Sequence, residues 1–390
     1  MLPYRVRQTV KSSGWVRDFR GRNVGSNGCA HPRIIAIGVS LVVAIASESA
    51  AQARGQSEGS TNPPLSSFVS LGTPLLSIGS ANQEGPTTFG SITGVTTDGS
   101  GNVYVLDHTT HSVRVFSSGG RFLGSAGRAG RGPGDLSWPH TLFHDRKNRL
   151  FVIDRVNGVV IFETRNGILT FRRSLATNVR PNNACLLGDN LIIAAWRDQK
   201  VLQVFDTDGR PIRSFGEGFS RDTSEAVREV ANQQMQVQLT CDDAGHRIFL
   251  APIALGEVRA YDDAGQLVWQ RRLDGFEGHK YVRSQRGVVT RWGKHYTSSL
   301  LRLGDSLLLV QVKHREPVKG SYSKTNPGGM RGYWETRGII TYVLSARSGV
   351  VLSRSTGAPL IGAITPGFAV AYEDDPIPRV TFLPWREMRR

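Results

Sequence analysis

The sequence predicts an all-β protein: a six-bladed β-propeller of four-stranded antiparallel blades. Three observations carry this expectation. First, residues 94–173 hold one pattern twice, GVTTDGSGNVYVLDHTTHSVRVFSSGGRFLGSAG and HTLFHDRKNRLFVIDRVNGVVIFETRNGILTFRR. Each copy runs from a short apolar segment through an Asp/Gly/Asn turn to an apolar strand ending in Asp107 or Asp154. A polar turn, an alternating strand, a Gly turn and a last strand follow, which is the pattern of a propeller blade. Second, the second-strand marker recurs at residues 103–106, 150–153, 191–194, 248–251, 307–310 and 368–370, each time behind a turn signal. Third, the last unit offers only three strands (360–364, 368–372, 379–383), while residues 74–79 (PLLSIG) resemble the fourth strand at 121–127. The N-terminal strand is therefore expected to complete the last blade and remove the open edge.

The chain begins outside this ring. Residues 1–33 are basic and polar, residues 34–46 (IIAIGVSLVVAIA) are apolar, and SESAAQA follows. Residues 1–53 read as a secretory signal with a long basic leader, cut after Ala53. An uncleaved anchor is the alternative, and the true start codon could lie downstream. The apolar run is short of the roughly 20 residues of a transmembrane helix, so no transmembrane span is expected in the mature chain. Cys29 precedes the run and is not placed like a lipoprotein cysteine. Residues 54–64 read as a flexible linker and residues 65–390 as the propeller. The expected location is periplasmic or extracellular.

The composition, 39% hydrophobic and 21% charged, excludes a disordered chain. The net charge is +16, and the part after Ala53 keeps 41 basic and 30 acidic residues. Such a balance favours an anionic or carbohydrate ligand, or an acidic envelope protein. Export makes nucleic acid the least favoured partner. Cys185 and Cys241 each lie six residues before the second strand of their unit. A disulfide is open to them, but innermost strands of adjacent blades are expected to exceed the Cα limit of about 7 Å, which favours two buried thiols.

The strands NVYVLD and RLFVID, the hairpin VRVFSSGGRFLGSAG and the passage GRGPGDLSWP resemble the NHL-repeat family of six-bladed propellers. The likeness is good over residues 91–175, thinner to about 275 and only patternwise beyond. It implies the propeller fold. It says little of function, since that family holds binding scaffolds and a few enzymes.

In a four-stranded blade the 2–3 loops and the blade-to-blade loops share one face. The long segments 127–138, 216–232, 274–294 and 313–337 all fall there. They carry Arg128, Arg131, Arg283, Lys313, Arg315, Lys319 and Lys324 among aromatics such as Trp138, Trp292, Tyr296 and Trp334. Basic residues mixed with aromatics around a channel mouth suit an anionic chain or a sugar acid. Residues 222–232 are expected to form one short helix in such a loop.

His140 opens the first strand of the second unit, near the channel. Its passage WPHTLFHDRKNRLFVIDRVNGVVIF is similar to the zinc-histidine blade of the NHL-like lyase that makes peptide amides, in which three histidines hold zinc. Matching strands here offer Asn182, Asn183, Gln236 and Ser298 instead, and zinc prefers imidazole to amides. His140 is thus read as a polar channel-lining residue, with no metal and no cofactor expected. His108, His111 and His144 are read as turn or surface residues. GRAGRGPG lacks the G-K-[ST] ending of a phosphate loop. The G-x-S-x-G at 55–59 lies in the linker, and the S-x-x-K at 321–324 lies in a Gly/Pro-rich loop. Asp242, Asp262 and Asp374 are read as turn residues.

The expectation is an exported, monomeric, non-catalytic binding module. A lyase- or hydrolase-type enzyme around His140 is the alternative, and a protein–protein scaffold the third.

Overall fold

The computed structural model describes residues 63–80, 85–219, 236–284, 287–291, 293–318, 334–374 and 377–388, with backbone alone for 281–284 and 287–291. The predicted signal, the predicted helix at 222–232 and the S-x-x-K stretch lie outside the described residues, as do Trp292, Lys319 and Lys324.

The chain enters through a single 3-10 turn (Leu65–Ser67), β1 (Val69–Leu71) and β2 (Leu76–Ile78). Blade 1 is β3 (Ile92–Thr97), β4 (Val103–Asp107), β5 (Ser112–Phe116) and β6 (Phe122–Ala126). Blade 2 is β7 (Pro139–His144), β8 (Arg149–Asp154), β9 (Gly158–Arg165) and β10 (Ile168–Leu175). Blade 3 is β11 (Asn183–Leu187), β12 (Asn190–Arg197), β13 (Lys200–Phe205) and β14 (Pro211–Glu217). Blade 4 is β15 (Val237–Asp242), β16 (Arg247–Pro252), β17 (Glu257–Asp262) and β18 (Leu267–Arg272). A separate hairpin, β19 (Lys280–Ser284) and β20 (Gly287–Arg291), follows. Blade 5 is β21 (His295–Leu303), β22 (Leu307–Pro317), β23 (Trp334–Ser345) and β24 (Val351–Thr356). Blade 6 is β25 (Ile361–Ile364), β26 (Phe368–Glu373) and β27 (Arg379–Glu387).

The predicted closure is present. β2 pairs with the first half of β27 (Leu76 with Phe382) and β1 with the second half (Val69 with Glu387), so together they fill the fourth place in blade 6. Asp374 adds a polar clasp, accepting the Ile92 N–H at 2.9 Å and the Ser91 hydroxyl at 3.1 Å from the start of blade 1.

Apolar residues from facing blades form the core. Tyr104, Leu106 and Val115 of blade 1 meet Leu142, Val152 and Phe162 of blade 2, and comparable clusters fill the other blade junctions. A middle strand has a blade on either side, so β4 and β8 read as near-continuous apolar runs with both faces buried. The Asn166-Gly167 turn joining β9 to β10 has positive φ at both residues (52° and 79°), as a tight two-residue hairpin requires.

Asp107 and Asp154, both fully buried, end their strands as anchors. Asp154 accepts N–H bonds from Ser137 and Trp138 in the loop entering blade 2, and from Val156 and Asn157 in the 2–3 turn. Asp107 does the same for Gly90, Ser91 and Thr109, and also pairs with Arg114 at 3.2 Å. Asp154→Ala leaves four N–H groups without their acceptor. It is expected to cost about 3–5 kcal/mol in denaturant unfolding; a loss under about 1 kcal/mol would contradict the anchoring role.

Two expectations need correction. Cys185 and Cys241 form a disulfide, with Cα atoms 5.7 Å apart. Innermost strands converge toward the axis, and the two cysteines hold equivalent register positions opposite Ile192 and Ile248. The segment 313–337 is not wholly loop either. β22 and β23 pair from Leu307–Ser345 out to Pro317–Trp334, so Lys313 and Arg315 sit on a strand of an extended hairpin. Asp242 and Asp262 do act in turns, accepting N–H bonds from Ala244 and Gln266. No helix among the described residues is long and apolar enough to cross a membrane.

Candidate functional site at the channel mouth

The central channel holds a cavity of about 640 Å³. His140, Asn183 and Ser298 line it, as do Lys147, Asp189 and Arg302 from the 1–2 end. That end is tied by ion pairs, Lys147 with Asp189 and Arg302 with Asp242.

The opposite end carries the less compensated chemistry. Arg155 directly follows β8, and its backbone N–H is held by the Trp138 carbonyl at 3.0 Å. Its Nη2 donates to Asn182 Oδ1 at 2.8 Å, while its Nε is buried without an acceptor. Arg315 lies near the outer end of β22. Its guanidinium carbon is 4.6 Å from the ring centre of Tyr296 on β21 and 5.6 Å from that of Trp334 on β23. Its Nε and Nη2 are buried without acceptors. Neither arginine forms an ion pair among the described residues, and burial lowers the pKa of both, partly offset by Tyr296. Burial in turn raises Tyr296, and Arg315 and Arg155 pull it back. The two cations thus act on one phenol from blades 2 and 5. The Tyr296 hydroxyl donates to Gln236 Oε1 at 3.3 Å.

The strands beneath are pinned. His295 Nδ1 accepts the Glu277 N–H at 2.7 Å, which leaves its Nε2–H to donate to His314 Nδ1 at 2.9 Å. That bond ties β21 to β22 one residue from both Tyr296 and Arg315.

His140 is the extra residue of a bulge, between the Pro139–Asp154 and Thr141–Ile153 pairs. The bulge turns the ring toward the channel. Burial, then Arg155 and His108, push His140 down to about 4. Burial, then Arg315, push His279 down to about 4 as well. Both imidazoles are therefore neutral at physiological pH and can accept or donate hydrogen bonds without carrying charge.

The other expected site residues divide. Trp138 is 51% exposed, its ring 5.9 Å from that of His108. Arg128 and Arg131 are exposed, but Arg128 Nε is bonded to Asp135 at 2.8 Å and Asp135 also takes the Gly132 N–H. The cradle-like loop GRAGRGPG therefore already holds an anion of its own. Lys313 lines a separate cleft of about 540 Å³ with Arg337, Glu373 and Asp374, between blades 5 and 6. Arg283 lies on β19, with its side chain outside the description. His144 is not a surface residue: its ring stacks on Tyr104 at 5.4 Å and its Nε2 meets Thr164 Oγ1 at 2.8 Å. His108 and His111 do lie in the 2–3 turn. Arg155 stands in no motif of the sequence. Its signal was positional, since it follows Asp154 as His108 follows Asp107.

No family model and no curated protein matches the chain. Solved structures do. The chain is similar to a protein of Bacteroides fragilis described as exported, at 12% identity over 84% of this chain and 98% of that one, with a TM-score of 0.52. It is similar to a member of the DUF4221 family from Bacteroides vulgatus, at 9% identity over 82% and 99%, TM-score 0.48. A PQQ-bound aldose sugar dehydrogenase of Streptomyces coelicolor matches at 11% identity over 82% and 99%, TM-score 0.47. At such identities the likeness speaks for the fold alone, and the chain is a six-bladed β-propeller.

Proposed function

We propose that this chain is an exported, NHL-like propeller that binds an anionic ligand at the channel mouth on its long-loop face, without catalysing a reaction on it. One observation carries the reading. Arg315 lies against the Tyr296 ring and Arg155, from another blade, acts electrostatically on the same phenol; both are half-buried, both have buried N–H groups lacking acceptors, and neither has a carboxylate partner among the described residues. A desolvated cation in that state gains most from an incoming anion. The disulfide supports export, because such bonds persist in oxidising compartments. The basic leader, apolar run and A-x-A site of residues 1–53 support a cleaved signal, and the mature chain is taken to act as a monomer. The remaining basic residues of the face, including Lys319 and Lys324, would steer the anion by long-range attraction.

The test is calorimetric titration of the purified protein with sulfate and with D-galacturonate at about 0.02 and 0.2 M salt. Binding is expected to weaken with salt and to stay flat between pH 6 and 8, because His140 and His279 are already neutral there. Replacing Arg155 and Arg315 together by Gln is expected to cost about a hundredfold or more in affinity. Unchanged affinity in that double variant overturns the reading.

The enzyme alternative also has one observation behind it. His140, neutral above about pH 4, sits on a bulge beside Arg155 and lines the channel cavity. If it is a catalytic base, His140→Ala abolishes turnover of a bound ligand and leaves its affinity nearly intact.

A further inference from the structure

The shape of the vacant hydrogen-bonding edge on Arg315 says more than its charge. We propose that the Nε–Nη2 edge of Arg315 is a fork for a carboxylate, and that the ligand is a sugar acid whose carboxylate docks there; this rests on the binding reading above. Nε–H and the neighbouring Nη2–H of a guanidinium point the same way, at a spacing that matches the two oxygens of a carboxylate. Those are the two atoms of Arg315 that are buried without acceptors. Tyr296 and Trp334 flank the guanidinium from the strands on either side of β22. The rings favour an acceptor that arrives in the guanidinium plane, and a carboxylate is planar.

Among the described residues, no carboxylate meets that edge. Residues 319–333, which connect β22 to β23, contain no Asp or Glu. Glu316 and Glu335, the closest acids in sequence, pair with Arg337 instead.

The rest of the mouth suits a sugar. Asn182 and Gln236 offer amide groups, and His140 offers an uncharged imidazole, all apt for hydroxyls. Arg155 Nε is a further donor still to be filled. The exposed indole of Trp138 provides a flat apolar face on which the C–H side of a pyranose can stack.

The experiment compares D-galacturonate, its methyl ester, D-galactose and inorganic phosphate by calorimetry on the wild-type protein and on Arg315→Lys. Galacturonate is expected to bind at least tenfold more tightly than the ester and the neutral sugar. Arg315→Lys, which keeps the charge and loses the fork, is expected to lose at least tenfold in galacturonate affinity, a loss typical of one charge-assisted hydrogen bond. Equal binding of acid and ester, or wild-type affinity in Arg315→Lys, overturns the carboxylate fork. Binding of phosphate without galacturonate also overturns it, yet leaves the anion reading intact. Binding of none of the four compounds removes both. If thermal melting shows that Arg315→Lys does not fold, the comparison of acid with ester on the wild type decides alone.

Discussion

A chain lacking residues 65–80 is expected to lose its cooperative unfolding transition and to aggregate. These residues act at two blade junctions at once. Phe68 and Val69 pack with Leu309, Val343 and Leu383 between blades 5 and 6, and Ile78 packs with Val103, Val370 and Phe382 between blades 6 and 1. Phe68 is 1% exposed and Val69 3%. Burying each such side chain stabilises by about 1.5–3 kcal/mol, so the three together approach the whole net stability of a typical domain, about 5–15 kcal/mol. The deletion also bares the full length of β27 as an open edge, ready to pair with another chain. Thermal melting followed by circular dichroism, with gel filtration, checks this. A monomeric deletion variant melting within a few degrees of wild type would show that the ring closes some other way. Phe68→Ala is the milder test, with an expected cost of about 3–5 kcal/mol.

Removal of the Cys185–Cys241 disulfide is expected to cost about 4 kcal/mol and to lower the melting temperature by roughly 10 °C. The bond joins the innermost strands of blades 3 and 4 across a sequence separation of 56. The loop-closure model gives that magnitude for a loop of this length, because the cross-link restricts the unfolded chain. The junction it spans is otherwise apolar, with Leu187, Val204, Leu239 and Leu250 packed beside the cystine. A double Ser variant should therefore stay folded at room temperature while melting earlier. Reductant should shift the wild-type melt toward the variant and leave the variant's own melt unchanged. A wild-type melt indifferent to reductant and to the double substitution would remove the disulfide from the account of stability.

The fold was legible because each blade repeats its own grammar. A turn signal, a doubly buried apolar strand and an alternating strand mark the start and middle of every unit, and the six second strands fall where those markers stand. Closure was legible from PLLSIG, since a lone strand with no partner at one end matched a blade with a missing strand at the other. The outer halves of β22 and β23 were not legible. KHREP alternates no apolar face, because that part of the hairpin extends past the apolar blade core and its half-buried Lys313, His314 and Arg315 are polar. The disulfide was visible only as a possibility, since strand spacing at the axis is a property of the closed ring and not of any one repeat. The site lay partly in view. Basic and aromatic residues on one face were apparent, but Arg155, Tyr296 and Arg315 come from distant stretches, and only the ring brings them to one mouth. His144 misled because a histidine beside an Asp-Arg-Lys-Asn turn resembles a surface residue, whereas the ring packs on Tyr104 beneath it.

The measurement that tests the central claim most directly is a crystal structure of the protein grown with D-galacturonate. The account predicts the sugar at the long-loop end of the channel, its carboxylate oxygens within hydrogen-bond distance of Arg315 Nε and Nη2, and Arg155 Nε turned toward the same molecule. A sugar found instead among Lys147, Asp189 and Arg302 at the other end, or a mouth left empty at saturating ligand, would contradict it.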